Sequence, residues 1–86
     1  MTQEAITSRI IAIIKEHVGT EDALFPETDL EEDLAFDSLE RVELAIKLEK
    51  AFGIALANSK LRNSVTIGDL IQLVICAEQE RRILNV

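Results

Sequence analysis

Eighty-six residues, 48% of them apolar, with a net charge of −7, allow one domain over residues 1–86 with one modest core and no cleft between lobes. Three phenylalanines and no tryptophan or tyrosine leave almost nothing for stacking bases, and surplus carboxylates repel phosphate backbones, so nucleic-acid binding is disfavoured. Residues 21–43 hold ten of the sixteen carboxylates against one base, Arg41, which favours docking on basic protein surfaces instead.

The opening stretch places Ile6, Ile10, Ile13, Ile14 and Val18 at spacings of three and four, predicting an amphipathic helix over 3–18. Gly19 suits its C-terminal cap, and His17, the only histidine, suits the negative end of the helix dipole. The N-terminus lacks a basic stretch leading into an apolar run, so no signal peptide is expected. No run is long enough to span a bilayer, and a cytoplasmic protein is expected.

Residues 20–36 carry Pro26, many acids, and Leu24, Phe25, Leu30, Leu34 and Phe36 as spaced apolar anchors. Such a connection is expected to lie across a bundle, with Leu30 and Leu34 on one turn facing the core. The next helix is predicted from Ser38 to about Phe52, with Asp37 as N-cap, Glu40 completing a capping box, and Gly53 as stop. Glu40, Glu43, Lys47 and Lys50 form a narrow polar stripe. Leu39, Val42, Leu44, Ala45, Ile46, Leu48 and Phe52 fill a wide arc opposite, which predicts a central helix surrounded by protein on most of its circumference.

"ALANSKLRNS" permits a brief third helix at most. A last helix follows, with Thr66 as N-cap and Asp69 at the third helical position. Ile67, Leu70, Ile71, Val74 and Ile75 supply its core face, Ile83 and Leu84 continue it, and Arg81 and Arg82 suit its dipole. Cys76 is the single cysteine, so no internal disulfide forms, and it is expected to be a small buried hydrophobe. The sum is an all-α bundle of three long helices plus one short helix.

Little in the chain can do chemistry. A nucleophilic triad needs a base, and His17 is separated from Ser38 by a polar loop with no nucleophile-elbow motif. Zinc finds no set of His and Cys ligands, and no metal site is expected. Acids at Asp29, Glu31, Asp33, Asp37 and Glu40 follow calcium-loop spacing, but Leu34 occupies the position where that loop needs glycine. Ser38 remains, in a first helical turn where unpaired backbone N–H groups and the dipole stabilise an attached phosphate.

The stretch "DLAFDSLERVELAIKLEKAFGI" resembles the acyl carrier protein family, whose pattern is D-L-G-x-D-S-L-[DE] followed by a V-E-L helix and F-x-I. Asp33-Leu34, Asp37-Ser38-Leu39-Glu40, Val42-Glu43-Leu44, Leu48-Glu49, Phe52 and Ile54 stand in register. "SVTIGDLIQLV" resembles the start of the family's last helix. The resemblance implies a carrier rather than an enzyme: Ser38 takes 4′-phosphopantetheine from coenzyme A through a phosphopantetheinyl transferase. The arm's thiol then holds an acyl, aminoacyl or polyketide group as a thioester. Asp37 and Leu39 would flank the arm, and Glu40 and Glu43 would meet partners. Those partners would be an acyl-loading ligase or synthase and acyltransferases, acting on a monomer. Leu44, Leu48, Ile54 and Ile67 would wall an acyl cavity.

Three departures stand out. The family's glycine before the motif is Ala35, and the next residue is Phe36, which is expected to contact the arm or a partner. Lys47 and Lys50 reduce the acidity of the recognition helix, with Glu43 and Lys47 as an i,i+4 pair. These differences point to a specialised lipid or secondary-metabolite pathway. Two other readings stay open at this point: an unmodified acidic helical adaptor, and a degenerate calcium-binding module.

Overall fold

The computed structural model describes residues 2–84, with side chains described through Arg81. Four helices follow in order: α1 (Gln3–Val18), α2 (Ser38–Phe52), α3 (Asn58–Arg62) and α4 (Ile67–Leu84). The molecule measures 39 × 25 × 19 Å. α1 packs on both α2 and α4, and the short α3 bridges α2 and α4 at the other side.

Each long helix begins and ends for a local reason. The Thr2 hydroxyl accepts from the Ala5 N–H to start α1, and Gly19 ends it in the left-handed region at φ 72°. The Asp37 carboxylate accepts from the Glu40 N–H at 2.8 Å to start α2, and Gly53 ends it at φ 65°. At α4 the cap is reciprocal: the Asp69 N–H donates to Thr66 Oγ1, and Asp69 Oδ2 accepts from the Val65 and Thr66 N–H groups. Helix starts leave backbone donors without partners, and these side chains satisfy them.

The core is aliphatic. Ile6, Ile10 and Ile14 of α1 meet Leu44, Leu48 and Phe52 of α2 and Ile67, Leu70, Ile71, Val74 and Ile75 of α4. Ile13 and Val18 pack against it half-buried. The side chains of Arg82, Ile83 and Leu84 lie outside the described residues.

The long connection is held down as anticipated, although not by every anchor. Leu30 and Phe36 are buried, and Leu24 and Leu34 pack half-buried against the core. Phe25 is not an anchor: it is 55% exposed, and its backbone N–H is bound to Thr28 Oγ1 in a local turn that leaves the ring outward. The segment is fastened to the start of α4 through backbone. The Leu30 N–H donates to the Val65 carbonyl at 2.9 Å, Ile67 N–H to Thr28 at 3.0 Å, and Gly68 N–H to Pro26 at 2.7 Å. A Cβ on Gly68 would lie 3.1 Å from the Pro26 oxygen, so a side chain there would push this close approach apart by a few tenths of an ångström. A lone antiparallel bridge, Asp29 to Thr66, is the only extended pairing among the described residues.

Two sequence expectations about burial fail. Leu39, Val42 and Ile46 of α2 are 63%, 46% and 45% exposed, so the helix is covered on one side only. α3, at five residues, is too short to cover the remaining face. Cys76 is also exposed. It falls one residue past Ile75 and two past Val74, both buried, and the 100° step turns it off the core face.

A polar clamp joins α1 to α2. The side chain of His17 is only 6% exposed because it points away from its own helix end and into the α1–α2 junction. His17 Nε2 lies 2.6 Å from Glu40 Oε2, and His17 Nδ1 lies 2.8 Å from Lys47 Nζ. Lysine can only donate, so Nδ1 accepts and Nε2 carries the proton it donates to Glu40. Phe36 closes the site edge-on to the imidazole, with ring centroids 5.6 Å apart.

Four consequences follow for stability. Replacing Thr66 with Ala is expected to cost about 1 kcal/mol in urea denaturation, the usual worth of an N-cap. Hydrogen bonds from the Val65 and Thr66 N–H groups hold the Asp69 carboxyl below its usual value. Its contribution is therefore full above the unfolded pKa and disappears as pH falls through the folded one, and Asp69→Asn should flatten that acid limb. Ala35 sits at φ 56°, a region that costs an L-residue about 1–2 kcal/mol, partly offset by glycine's freer unfolded chain. Ala35→Gly should stabilise the fold by a net of about 0.5 kcal/mol, seen as a higher urea midpoint. His17→Ala should lose about 2 kcal/mol, through two charge-assisted hydrogen bonds and the ring contact.

Candidate functional site

Ser38 is the first residue of α2 and is exposed. Asp37 spends its carboxylate on the Glu40 N–H, so the helix start is organised without help from the serine. The Ser38 hydroxyl makes no hydrogen bond among the described residues, and it is free to react. The loop that delivers it is fixed at both ends: by the backbone bonds to α4, and by Phe36, which is 4% exposed in the core. This is an exposed, unbonded hydroxyl at a helix start, two residues beyond the buried Phe36 and one beyond the capping Asp37.

Beside Ser38 lies a pocket of about 520 Å³ between α2 and α3. Its lining is Ser38, Arg41, Val42, Asn58, Leu61 and Arg62. Val42 and Leu61 give it an apolar wall, and Asn58 gives it an amide able to donate and accept. The volume falls within the range of small-ligand sites. A phosphopantetheine arm fits this setting chemically: an exposed attachment hydroxyl, an apolar wall for its carbon chain, and an amide to pair with its amides.

The sequence-predicted residues divide into those brought to this site and those placed elsewhere. Asp37, Ser38 and Leu39 stand together at the start of α2, and Leu39 projects into solvent. Phe36 is a correction: it is buried against His17 and does not reach an arm or a partner on the surface. Glu40 and Lys47 belong to the recognition stripe by position, but both are tied to His17. Lys47 therefore does not pair with Glu43 one turn back, and Glu43 is left exposed. Leu44, Leu48 and Ile67 are in the packed core, with Ile54 half-buried against it; none of the four lines the pocket next to Ser38.

Reasoning from spacing alone missed Arg41, Arg62 and His17. Arg41 and Arg62 lie on two helices joined by a turn, 21 residues apart, and His17 is 23 residues from Glu40. No periodicity links such pairs; a lone histidine at a helix end was the only available signal.

The calcium-loop spacing is not matched by geometry. Asp29 Oδ1 accepts from the Glu31 and Glu32 N–H groups, and Asp33 Oδ2 accepts from the Asp29 N–H. With Glu31 paired to Arg41, Asp37 capping α2 and Glu40 bound to His17, each of these carboxylates is committed to a partner of its own. Among the described residues, the one grouping of three metal-ligand side chains is His17, Glu40 and Glu43, whose ligand atoms lie within 4.8 Å of one another. The Lys47 ammonium bound to the same imidazole puts a positive charge beside that spot, which opposes a cation there. None of the helices is long and apolar enough, among the described residues, to cross a membrane.

Comparison with known proteins bears directly on this site. The family model for the phosphopantetheine attachment site matches residues 8–74, which include Ser38 and the whole pocket lining. The meromycolate extension acyl carrier proteins of Mycobacterium leprae and Mycobacterium tuberculosis are 35% identical to the chain over 81 residues, covering 93% of it and 70% of theirs. A solved structure from Mycobacterium tuberculosis, assigned as an acyl carrier protein, matches with a TM-score of 0.79 at 31% identity, covering 83% of this chain and 96% of that one. The acyl carrier protein of Thermotoga maritima shares the fold, with a TM-score of 0.77 at 23% identity over 91% of this chain and 92% of its own. A four-helix fold shared with acyl carrier proteins, and an attachment-site family model spanning most of the sequence, lead to one conclusion: this chain belongs to the acyl carrier protein family, non-catalytic carriers of a phosphopantetheine arm.

Proposed function

We propose that Ser38 is the attachment point of the arm and that the chain carries acyl thioesters between the enzymes of a specialised lipid pathway. The observation that supports the assignment most directly is the exposed, unbonded hydroxyl of Ser38 at the start of α2, opening onto the α2–α3 pocket. In the transfer, Ser38 Oγ forms a bond to the pantetheine-side phosphorus of coenzyme A. The pyrophosphate P–O bond breaks, adenosine 3′,5′-bisphosphate leaves, and the serine proton passes to a base on the transferase. The new phosphodiester sits at the positive end of α2, a position worth about 0.3–1 kcal/mol to an exposed anion.

The surface around the arm sets the kind of partner. Leu39, Val42 and Ile46 recur at helical spacing and are exposed, so a loading ligase, synthase or acyltransferase meets an apolar stripe flanked by Glu43. Glu40 and Lys47 neutralise one another through His17, which makes the face less acidic than its composition implies. Partner docking here depends more on apolar contact and less on long-range charge. The aliphatic residues Leu44, Leu48, Ile54 and Ile67 are the part of the core that yields when an acyl chain enters; they contain no polar atom to leave unpaired. The names of the mycobacterial relatives favour a lipid-extension role over a polyketide or aminoacyl one, and a cytoplasmic setting accords with it.

Incubation with coenzyme A and a promiscuous phosphopantetheinyl transferase should add one phosphopantetheine to the wild-type chain by intact mass, and none to Ser38→Ala. Equal mass gain in the variant would move the attachment site elsewhere. No gain in either folded protein, with the dedicated transferase also tried, would remove the carrier assignment for this serine.

A further inference from the structure

The protein is acidic throughout its exposed middle third, yet the ionisable groups lining the pocket beside Ser38 are two arginines and no carboxylate. Arg41 is held rather than mobile. Its side chain is 13% exposed; Nη1 donates to the Arg62 carbonyl at 3.1 Å, and Nη2 donates to Glu31 Oε1 at 3.2 Å. Its Nε–H is buried and has no acceptor among the described residues. Arg62, at the end of α3, is exposed and forms no ion pair among the described residues. Each Arg41 Nη carries a second N–H beyond these two bonds, and the Arg62 guanidinium is exposed, so two guanidinium groups border one pocket with donors to spare, and guanidinium matches oxyanions best.

Resting on the carrier assignment, we propose that the α2–α3 pocket is an oxyanion subsite, formed by Arg41 and Arg62, for a group delivered on Ser38 itself. Two oxyanions can arrive on that tether: the phosphodiester at the base of the arm, and a carboxylate at the far end of a dicarboxylic acyl cargo. Both are captured intramolecularly, so one or two charge-assisted hydrogen bonds suffice without high intrinsic affinity. The pocket's apolar wall, Val42 and Leu61, strengthens such bonds by excluding water from one side. An acyl group ending in a methyl would leave the cargo arm of this subsite empty, so the two arginines would discriminate between cargo classes.

The test uses the full chain, isotope-labelled, in four forms: unmodified, with the free-thiol arm, with a butyryl thioester, and with a succinyl thioester of matched length. Intact mass confirms each loading before the arginine Nε–H signals of Arg41 and Arg62 are read by NMR. A downfield shift of the Arg41 signal on adding the arm, equal in all three loaded forms, would assign the subsite to the phosphodiester. A further shift confined to the succinyl form, lost in Arg62→Gln and partly regained in Arg62→Lys, would assign it to cargo carboxylate. Signals unchanged across all four forms would overturn the subsite while leaving the carrier role standing, because the masses show the arm in place. A folded chain that accepts no arm overturns both.

Discussion

The position of Ser38 depends on how the nineteen-residue connection between α1 and α2 is held still, and backbone hydrogen bonding does that. The segment before α2 presents N–H and C=O groups that a buried loop cannot leave unpaired. Three of them find partners at the entrance to α4, at 2.7–3.0 Å, with Leu30 fully buried between the two segments. The entrance to α4 is itself fixed by the Thr66–Asp69 cap. An aspartate far along the chain thus stabilises the loop that presents the serine. The strained Ala35, at φ 56°, lies three residues before Ser38 and turns the chain from that anchored loop into α2.

The second organising feature is the buried imidazole. Most of the α1–α2 contact is aliphatic and non-directional, which permits sliding; His17 adds direction, because both its nitrogens are committed to residues on α2. It also changes what the surface offers. Glu40 and Lys47 are drawn toward the junction, while Glu43 stays free, so local charge on the docking face differs from a simple count of acids and bases. Charge patterning along one helix is not a surface potential when a neighbouring helix contributes a partner.

The core is aliphatic and open to rearrangement. It is built from Leu, Ile and Val with Phe36 and Phe52 at its edges, and side chains of this kind can be rearranged without stranding a polar group. Two polar groups that lie inside, His17 and Ser64, are hydrogen-bonded at the periphery of the helix contacts. Specific positioning and deformable volume are therefore kept in different parts of a small molecule.

The features legible in the sequence alone are local and periodic. Thr66, Asp37, Gly19 and Gly53 mark helix ends because each acts on backbone within a few residues, and the spacing of Ile6, Ile10 and Ile14 marks a buried face because a helix repeats every 3.6 residues. The family motif around Ser38 is likewise contiguous, so the carrier role was legible before any fold. Tertiary structure decided which apolar residues are covered and which charges are free. Leu39, Val42 and Ile46 look like core by pattern, yet α3 is too short to reach them. Phe36 looks like a surface contact by its place in the motif, yet it fills the gap beside His17. Arg41 and Arg62 acquire meaning only when α2 and α3 enclose a pocket. Burial and pairing depend on the distance between elements, and no pattern within a single element encodes that distance.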